Sequence, residues 1–280
     1  ASAGLDDLWL ARHDAAGNLL WLVQLGTAAQ DIALAAAGDD AGGVYVAGET
    51  RGALAGANAG ESDAFVARFD GAGGLVWMRQ LGTSARDSAL ALAARAGGGL
   101  FVGGTSAGSL GATSAGNSDA WLARLDGNGN QLWLRQFGTP ADDGLHALAA
   151  DRRGGAYAGG DTFGVLATGE VRPDADAWLA SHDGSGNRSW LVQLGTMVWG
   201  LSSVEAAAPD GAGGVFAAGL TDGQLSLESP SAGGRDAWLA RYEVCTAASV
   251  TTRNAGANPA SLGTSTLPLL GATFTADVDL

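Results

Sequence analysis

The sequence predicts an all-β protein assembled from repeated four-stranded antiparallel sheets, and three observations carry that expectation. The first is a recurring segment: DLWLARHDAAGNLLWLVQLGT from Asp7, DAFVARFDGAGGLVWMRQLGT from Asp63, DAWLARLDGNGNQLWLRQFGT from Asp119, DAWLASHDGSGNRSWLVQLGT from Asp176, and a shortened DAWLARYE from Asp236. Its spacings of 56, 56, 57 and 60 residues are the mark of a repeat architecture. The second is glycine, 46 of 280 residues against 6 Pro, about twice its usual share. Spread among regularly placed apolar runs, it signals tight turns between short strands. The third is that no 3.6-residue apolar periodicity with caps is sustained anywhere.

Each period resolves into four strand-like runs, a to d. In the third these are LHALAAD (145–151), GAYAGGD (155–161), DAWLASHD (176–183) and SWLVQLG (189–195). They alternate or are uniformly apolar, and Asp/Gly/Asn turns separate them. The c–d turn, Asp126-Gly-Asn-Gly-Asn130, is short and Gly-rich, as an antiparallel hairpin requires. A four-stranded antiparallel unit at this period fits the blade of a β-propeller. Runs a and b occur four times, d four times and c five times. The chain begins with c and d and ends with a, b and c. The last a and b (about 201–221) are therefore expected to complete the first c and d (7–26) as one mixed blade, leaving no open sheet edge. The reading is a four-bladed propeller over residues 1–243; the alternative is five incomplete blades, or an excerpt of a larger array.

Eight of the nine Trp fall on two repeat positions. Trp9, Trp121, Trp178 and Trp238 lie in c, where Phe65 takes the remaining slot; Trp21, Trp77, Trp133 and Trp190 lie in d. A side chain needed in every unit fills the wedge between sheets, whereas a sugar-stacking platform would break the symmetry.

Composition narrows the partners. With 29 acidic against 15 basic residues, all Arg, the formal charge is −14. Nucleic acid and anionic membrane surfaces ask for the opposite sign. Cations or neutral glycans suit it better. Cys245 is the single cysteine, so no internal disulfide forms; a free thiol and a bond to another segment both stay open. No apolar run reaches the roughly 18 residues that span a bilayer. The chain opens on Ala1 and not Met, which reads as a processed or excised piece.

The segment DAWLARLDGNGNQLWLRQFGT, followed by an Asp and a strand ending Gly-Gly-x-Tyr/Phe-Val-x-Gly-x-Thr, resembles the bacterial SBBP-type β-propeller repeat over roughly residues 5–243. The resemblance implies a propeller in an exported or cell-surface bacterial protein, and it implies no activity, since that family shares no catalytic motif. The Asp-x-x-Gly-x-x-x-Trp spacing also resembles quinoprotein repeats, without a cofactor-binding constellation. Residues 244–280 leave the pattern and resemble the truncated start of a small β-rich C-terminal module of secreted bacterial proteins.

Several residues are candidates for chemistry. Asp31, Asp87 and Asp143 open strand a, five residues after the Gly of Leu-Gly-Thr or Phe-Gly-Thr; the same spacing in the fourth period gives Gly200, beside Trp199. With strand a innermost, three carboxylates could ring a channel mouth and hold Ca²⁺. The alternative is that each ties down its own d–a turn. The Asp opening every c strand (Asp7, Asp63, Asp119, Asp176, Asp236) is read as structural, paired with turn amides or an Arg. Asp126, Asn128 and Asn130 have part of a calcium-loop spacing, but Gln131 replaces its Gly and no bidentate Glu follows. His13, His146 and His182 do not assemble a zinc ligand set, and no nucleophile elbow is present. The b–c connections (51–62, 106–118, 162–175, 222–235) vary most, with Arg51, Glu61, Phe163, Glu170, Arg172, Glu228 and Arg235. Binding diverges on such loops.

The functional expectation is a non-catalytic, extracellular or cell-surface binding or adhesion scaffold, a monomer or part of a longer chain, with a glycan or surface protein as partner. The alternatives are a propeller enzyme acting on polysaccharide, which would need two carboxylates that break the repeat, and a passive spacer.

Overall fold

The computed structural model describes residues 4–167, 174–195, 200–225, 233–243, 248–254, 268–269 and 272–275. Among them there are only strands, turns and bends, in two compact units, residues 1–137 and 138–280. No helix there is long and apolar enough to cross a membrane.

The first unit holds three sheets. β1 (Leu8–His13) and β2 (Leu19–Leu25) form an antiparallel pair. β3 (Asp31–Gly38), β4 (Val44–Thr50), β5 (Asp63–Phe69) and β6 (Leu75–Leu81) form a four-stranded antiparallel sheet in chain order, as do β7 (Asp87–Ala94), β8 (Leu100–Ser106), β9 (Asp119–Leu125) and β10 (Gln131–Phe137). In the second unit β11 (Asp143–Ala150), β12 (Ala156–Thr162), β13 (Asp176–His182) and β14 (Arg188–Leu194) repeat the arrangement. β15 (Ser202–Pro209), β16 (Val215–Thr221) and β17 (Asp236–Tyr242) follow, and β18 (Ala248–Asn254) pairs with β17 where a d strand belongs. β19 (Pro268–Leu269) and β20 (Ala272–Thr275) extend this sheet, β20 running parallel to β18.

This topology corrects two expectations. The a and b strands of the fourth period do not complete the first c–d pair. They pair with their own c strand, which is joined by β18 from within residues 244–280, and β1–β2 stands as a two-stranded sheet. The residue opening strand a in the fourth period is Ser202, not Gly200: Ser202 faces Thr221 as Asp31 faces Thr50, Asp87 faces Ser106 and Asp143 faces Thr162. The d–a connection is longer there, so counting from Leu-Gly-Thr stops two residues short.

Within each unit, successive sheets stack face to face. Strand β7 lies against β3, β4 and β5, and in the second unit β15 lies against β11, β12 and β13. The alternation of c strands explains the fit, because β5, β9 and β17 each send one set of side chains toward the preceding sheet. Trp121 and Ala123 meet Tyr45, Ala47 and Val66 of the β3–β6 sheet. Trp238 and Ala240 do the same with Tyr157 and Leu179. Phe65 meets Leu8, with Leu10, Val23 and Leu25 around it. Small residues set the spacing: Val204 leaves no space for a Cβ at Gly159.

The c-strand tryptophans are wedge residues. Trp121 and Trp178 are fully buried, and their Nε1 atoms donate to carbonyls of the same sheet, Ser88 and Thr105 for Trp121, Gly144 and Asp161 for Trp178, at 2.9–3.1 Å. The d-strand tryptophans are less enclosed: Trp77 is buried, while Trp21, Trp133 and Trp190 are half-buried. Two of them, Trp21 and Trp77, latch one sheet to the next at the c–d turn. Trp21 Nε1 donates to Gly71 O at 3.0 Å and Trp77 Nε1 to Gly127 O at 2.9 Å. The Trp77 ring lies so close over Gly129 (φ +77°) that a Cβ there would stand 2.7 Å from it. Glycine is thus required both by the left-handed turn and by the ring.

Replacing Trp121 with Ala is expected to cost about 3–5 kcal/mol in urea denaturation, the range for emptying a packed aromatic site. Trp9→Ala, at the same repeat position but 66% exposed, should stay within about 0.5 kcal/mol. Equal effects at the two sites would contradict the wedge role.

Candidate functional site

The loop end of each sheet is built around one buried carboxylate. Asp31, Asp87 and Asp143 are at most 1% exposed. Oδ2 of each accepts the backbone N–H of Thr27, Thr83 or Thr139 at 2.5–2.6 Å and that threonine's hydroxyl at 2.9–3.0 Å. Oδ1 accepts the hydroxyl that ends strand b, from Thr50, Ser106 or Thr162. Burial pushes the Asp87 carboxyl above the usual carboxylate range, while the bonds from Ser106 and Thr83 pull it back. Both oxygens are therefore engaged within their own repeat. Among the described residues no three His, Cys, Asp or Glu side chains come together as a metal site. This geometry is that of the tie-down role. Ser202 fills the equivalent place in the fourth period by donating to Leu194 O and accepting the Ala177 amide.

A second carboxylate closes the b–c loop. Asp63, Asp119 and Asp176 each accept Nε2 of a d-strand glutamine, Gln80, Gln136 or Gln193, at 2.8 Å. The side-chain partner shown is a glutamine of the same sheet, and loop amides also bond Asp63 and Asp119. That glutamine then holds the loop base. Its Nε2 also reaches Gly52 O, Gly108 O or Gly164 O, and its Oε1 accepts two successive loop amides: Leu54 and Ala55, Leu110 and Gly111, or Leu166 and Ala167. The far end of the loop is held as well, since Ala59 N–H and Ala115 N–H bond Asp63 and Asp119. The glutamine was visible in every Gln-Leu/Phe-Gly-Thr, but an uncharged amide beside tryptophans gives little hint of a clamp.

Between the hydroxyl and the glycine of each loop base sits one residue whose identity changes: Arg51, Ala107, Phe163 and Asp222. Its backbone is fixed, with the N–H bonded to Gln30 O, Arg86 O, Asp142 O or Leu201 O at 2.8–2.9 Å. Arg51, Ala107 and Phe163 are exposed. Of the other loop candidates, Glu61 and Arg235 are exposed, while Glu170, Arg172 and Glu228, like Trp199 and Cys245, lie outside the described residues.

At the opposite sheet end Asp14, Asp70, Asp126 and Asp183 are turn formers. Asp126 Oδ1 accepts the amides of Asn128 and Asn130, and Asn130 Nδ2 donates to Oδ2 at 2.9 Å. The Asn130 side chain holds the Asp126 carboxyl below its usual range. The calcium-loop spacing is thus spent on an Asx turn.

Polar groups break the repeat at one position. Strand a carries a β-bulge at its fourth residue, occupied by Leu34, Leu90, His146 and Glu205 in turn. His146 Nε2 lies 2.6 Å from Asp161 Oδ1, and the absence of a Cβ at Gly144 lets the two meet. Burial alone pushes the imidazole down; the bond to Asp161 and the charges of Asp161 and Glu205 outweigh it and leave the pKa above 6.5. His13 is exposed and His182 buried.

No family model matches the chain. It is similar to Regulatory protein FlaEY of Caulobacter vibrioides, 37% identical over 167 residues, which cover 53% of this chain and 17% of that protein. The chain spans about a sixth of the length of the curated relative it matches.

Because the folded pKa of His146 is raised, its contribution to stability is complete below pH 6.5 and is lost as pH rises through the folded value. Thermal melts should therefore show wild type losing stability across that window relative to His146→Leu, which restores the residue of the first two periods. Parallel pH profiles for the two proteins would refute the assignment.

Proposed function

We propose that the chain is a β-propeller module of an exported or cell-surface bacterial protein, and that it binds a glycan or surface protein through its b–c loops without catalysis. The observation that carries this reading is the variable slot at Arg51, Ala107, Phe163 and Asp222. A repeated bond holds the backbone of each slot while the exposed side chain changes from a cation at Arg51 to a methyl at Ala107 and an aromatic ring at Phe163; the Asp222 carboxylate instead accepts the Leu201 amide. A scaffold with no ligand would have no reason to keep the support uniform and vary what it displays. The face-to-face stacking of sheets within each unit, with strand a against the preceding sheet, supports the propeller, as do the wedge tryptophans. The similarity to a protein named as regulatory, of which the chain spans a sixth, supports a module that works by contact within a longer polypeptide.

The test is a glycan array together with a panel of purified bacterial surface proteins. Wild type should bind at least one member, and Arg51→Ala with Phe163→Ala should weaken that binding at least about tenfold, ~1.4 kcal/mol, without moving the melting temperature. Binding that survives the double substitution would overturn the loop assignment, and no binding to any member would leave a spacer.

A further inference from the structure

In every other sheet the c strand is paired on one side with the strand in the d place and on the other with b, but among the described residues β1 is paired only with β2. No described strand lies on its second edge, and its Trp9 is 66% exposed, whereas Trp121 and Trp178 are fully buried. The seat next to it is already in place. Asp31 N–H bonds Asp6 O at 2.7 Å, as Asp87 N–H bonds Ser62 O at 2.8 Å, so the start of β1 meets the following sheet as the other c strands do. Gln24 donates to Asp7 at 2.8 Å, reproducing the glutamine–aspartate pair, yet among the described residues no b–c loop amide reaches Gln24. A groove lined by Asp6, Leu8, Trp9, Ile32 and Ala33 runs along this edge.

We propose that the β1 edge accepts the a–b hairpin of a further repeat of the same class, one not carried by residues 1–280. The chain itself shows the chemistry of the occupant. Opposite the c-strand aromatic, b always presents glycine: Gly48 to Phe65, Gly104 to Trp121, Gly160 to Trp178 and Gly219 to Trp238. Carbonyls of a and b take the indole N–H. The occupant thus places a Gly opposite Trp9, gives two carbonyls to its Nε1, and brings a b–c loop base to Gln24. A second copy of this chain has no such hairpin to lend, because β3–β4, β7–β8, β11–β12 and β15–β16 each pair with their own c strand. Unpaired edges with exposed apolar side chains are the surfaces that added strands cover.

The probe is the synthetic a–b hairpin of residues 87–106, titrated against the full chain while acrylamide quenching of tryptophan is followed. The hairpin should protect one tryptophan at one-to-one stoichiometry. A scrambled peptide should not, and Trp9→Ser should weaken binding about tenfold, ~1.4 kcal/mol, with the fold intact because Trp9 is exposed. Since an isolated hairpin is marginal in water, a second protein carries residues 87–106 joined ahead of Ala1 by a Gly/Ser linker. It should melt higher than the parent and shield Trp9. If neither the peptide nor the joined hairpin shields Trp9, the proposal is wrong. It is equally wrong if light scattering shows a dimer of the parent chain that Trp9→Ser dissolves.

Discussion

A carboxylate buried at the start of strand a organises everything around it. A group of that charge, out of water, is tolerable only when each oxygen finds donors. Around Asp87 those donors come from the connection that leads into the sheet, through Thr83, and from the end of strand b, through Ser106. Satisfying one side chain therefore joins the entry of a sheet to the exit of its second strand. Ser106 in turn accepts the Gly108 amide, and Thr83 lies against Gly108 so closely that no Cβ fits. The loop base, the connection and the sheet become one piece.

The other end of the sheet is held by different chemistry. There the d-strand indole and the c-strand arginine converge on a carbonyl in the next c–d turn: Trp21 and Arg12 on Gly71, Trp77 and Arg68 on Gly127. Within the first unit, then, neighbouring sheets are tied by carboxylates at one end and by an aromatic latch at the other, with alanine-rich strands between. Because the fixtures repeat, whatever distinguishes one repeat from another must sit where they leave a side chain free. The slots at Arg51, Ala107 and Phe163 are such places.

Much of this was legible in the sequence. Strands a to d and their order followed from the period and from turn residues, and observed ends such as Asp143–Ala150 or Arg188–Leu194 differ from the expected ones by one or two residues. Tertiary pairing was harder to read. Symmetry counting joined the last a and b to the first c and d, whereas β18, whose sequence ASVTTRN carries no trace of the d-strand signature, takes that place beside β17. The candidate carboxylates were found for a sound reason, their recurrence, but recurrence does not distinguish a ligand set from a turn anchor. What decides is where the donors lie, and Thr83 and Ser106 are 4 and 19 residues from Asp87. The His146–Asp161 pair stayed hidden because the bulge that brings them together is a property of the strand pairing.

The central claim is that one buried carboxylate couples the inter-sheet connection to the loop base, and Asp87→Asn tests it most directly. The amide keeps the volume but offers one acceptor oxygen where the carboxylate offers two, so Thr83 and Ser106 can no longer both donate to it. Hydrogen exchange with chemical denaturation should show the Thr83 and Gly108 amides losing protection together and stability falling by at least about 2 kcal/mol, as expected for buried donors left without an acceptor. Unchanged stability, or loss of protection at Thr83 with Gly108 unaffected, would contradict the account.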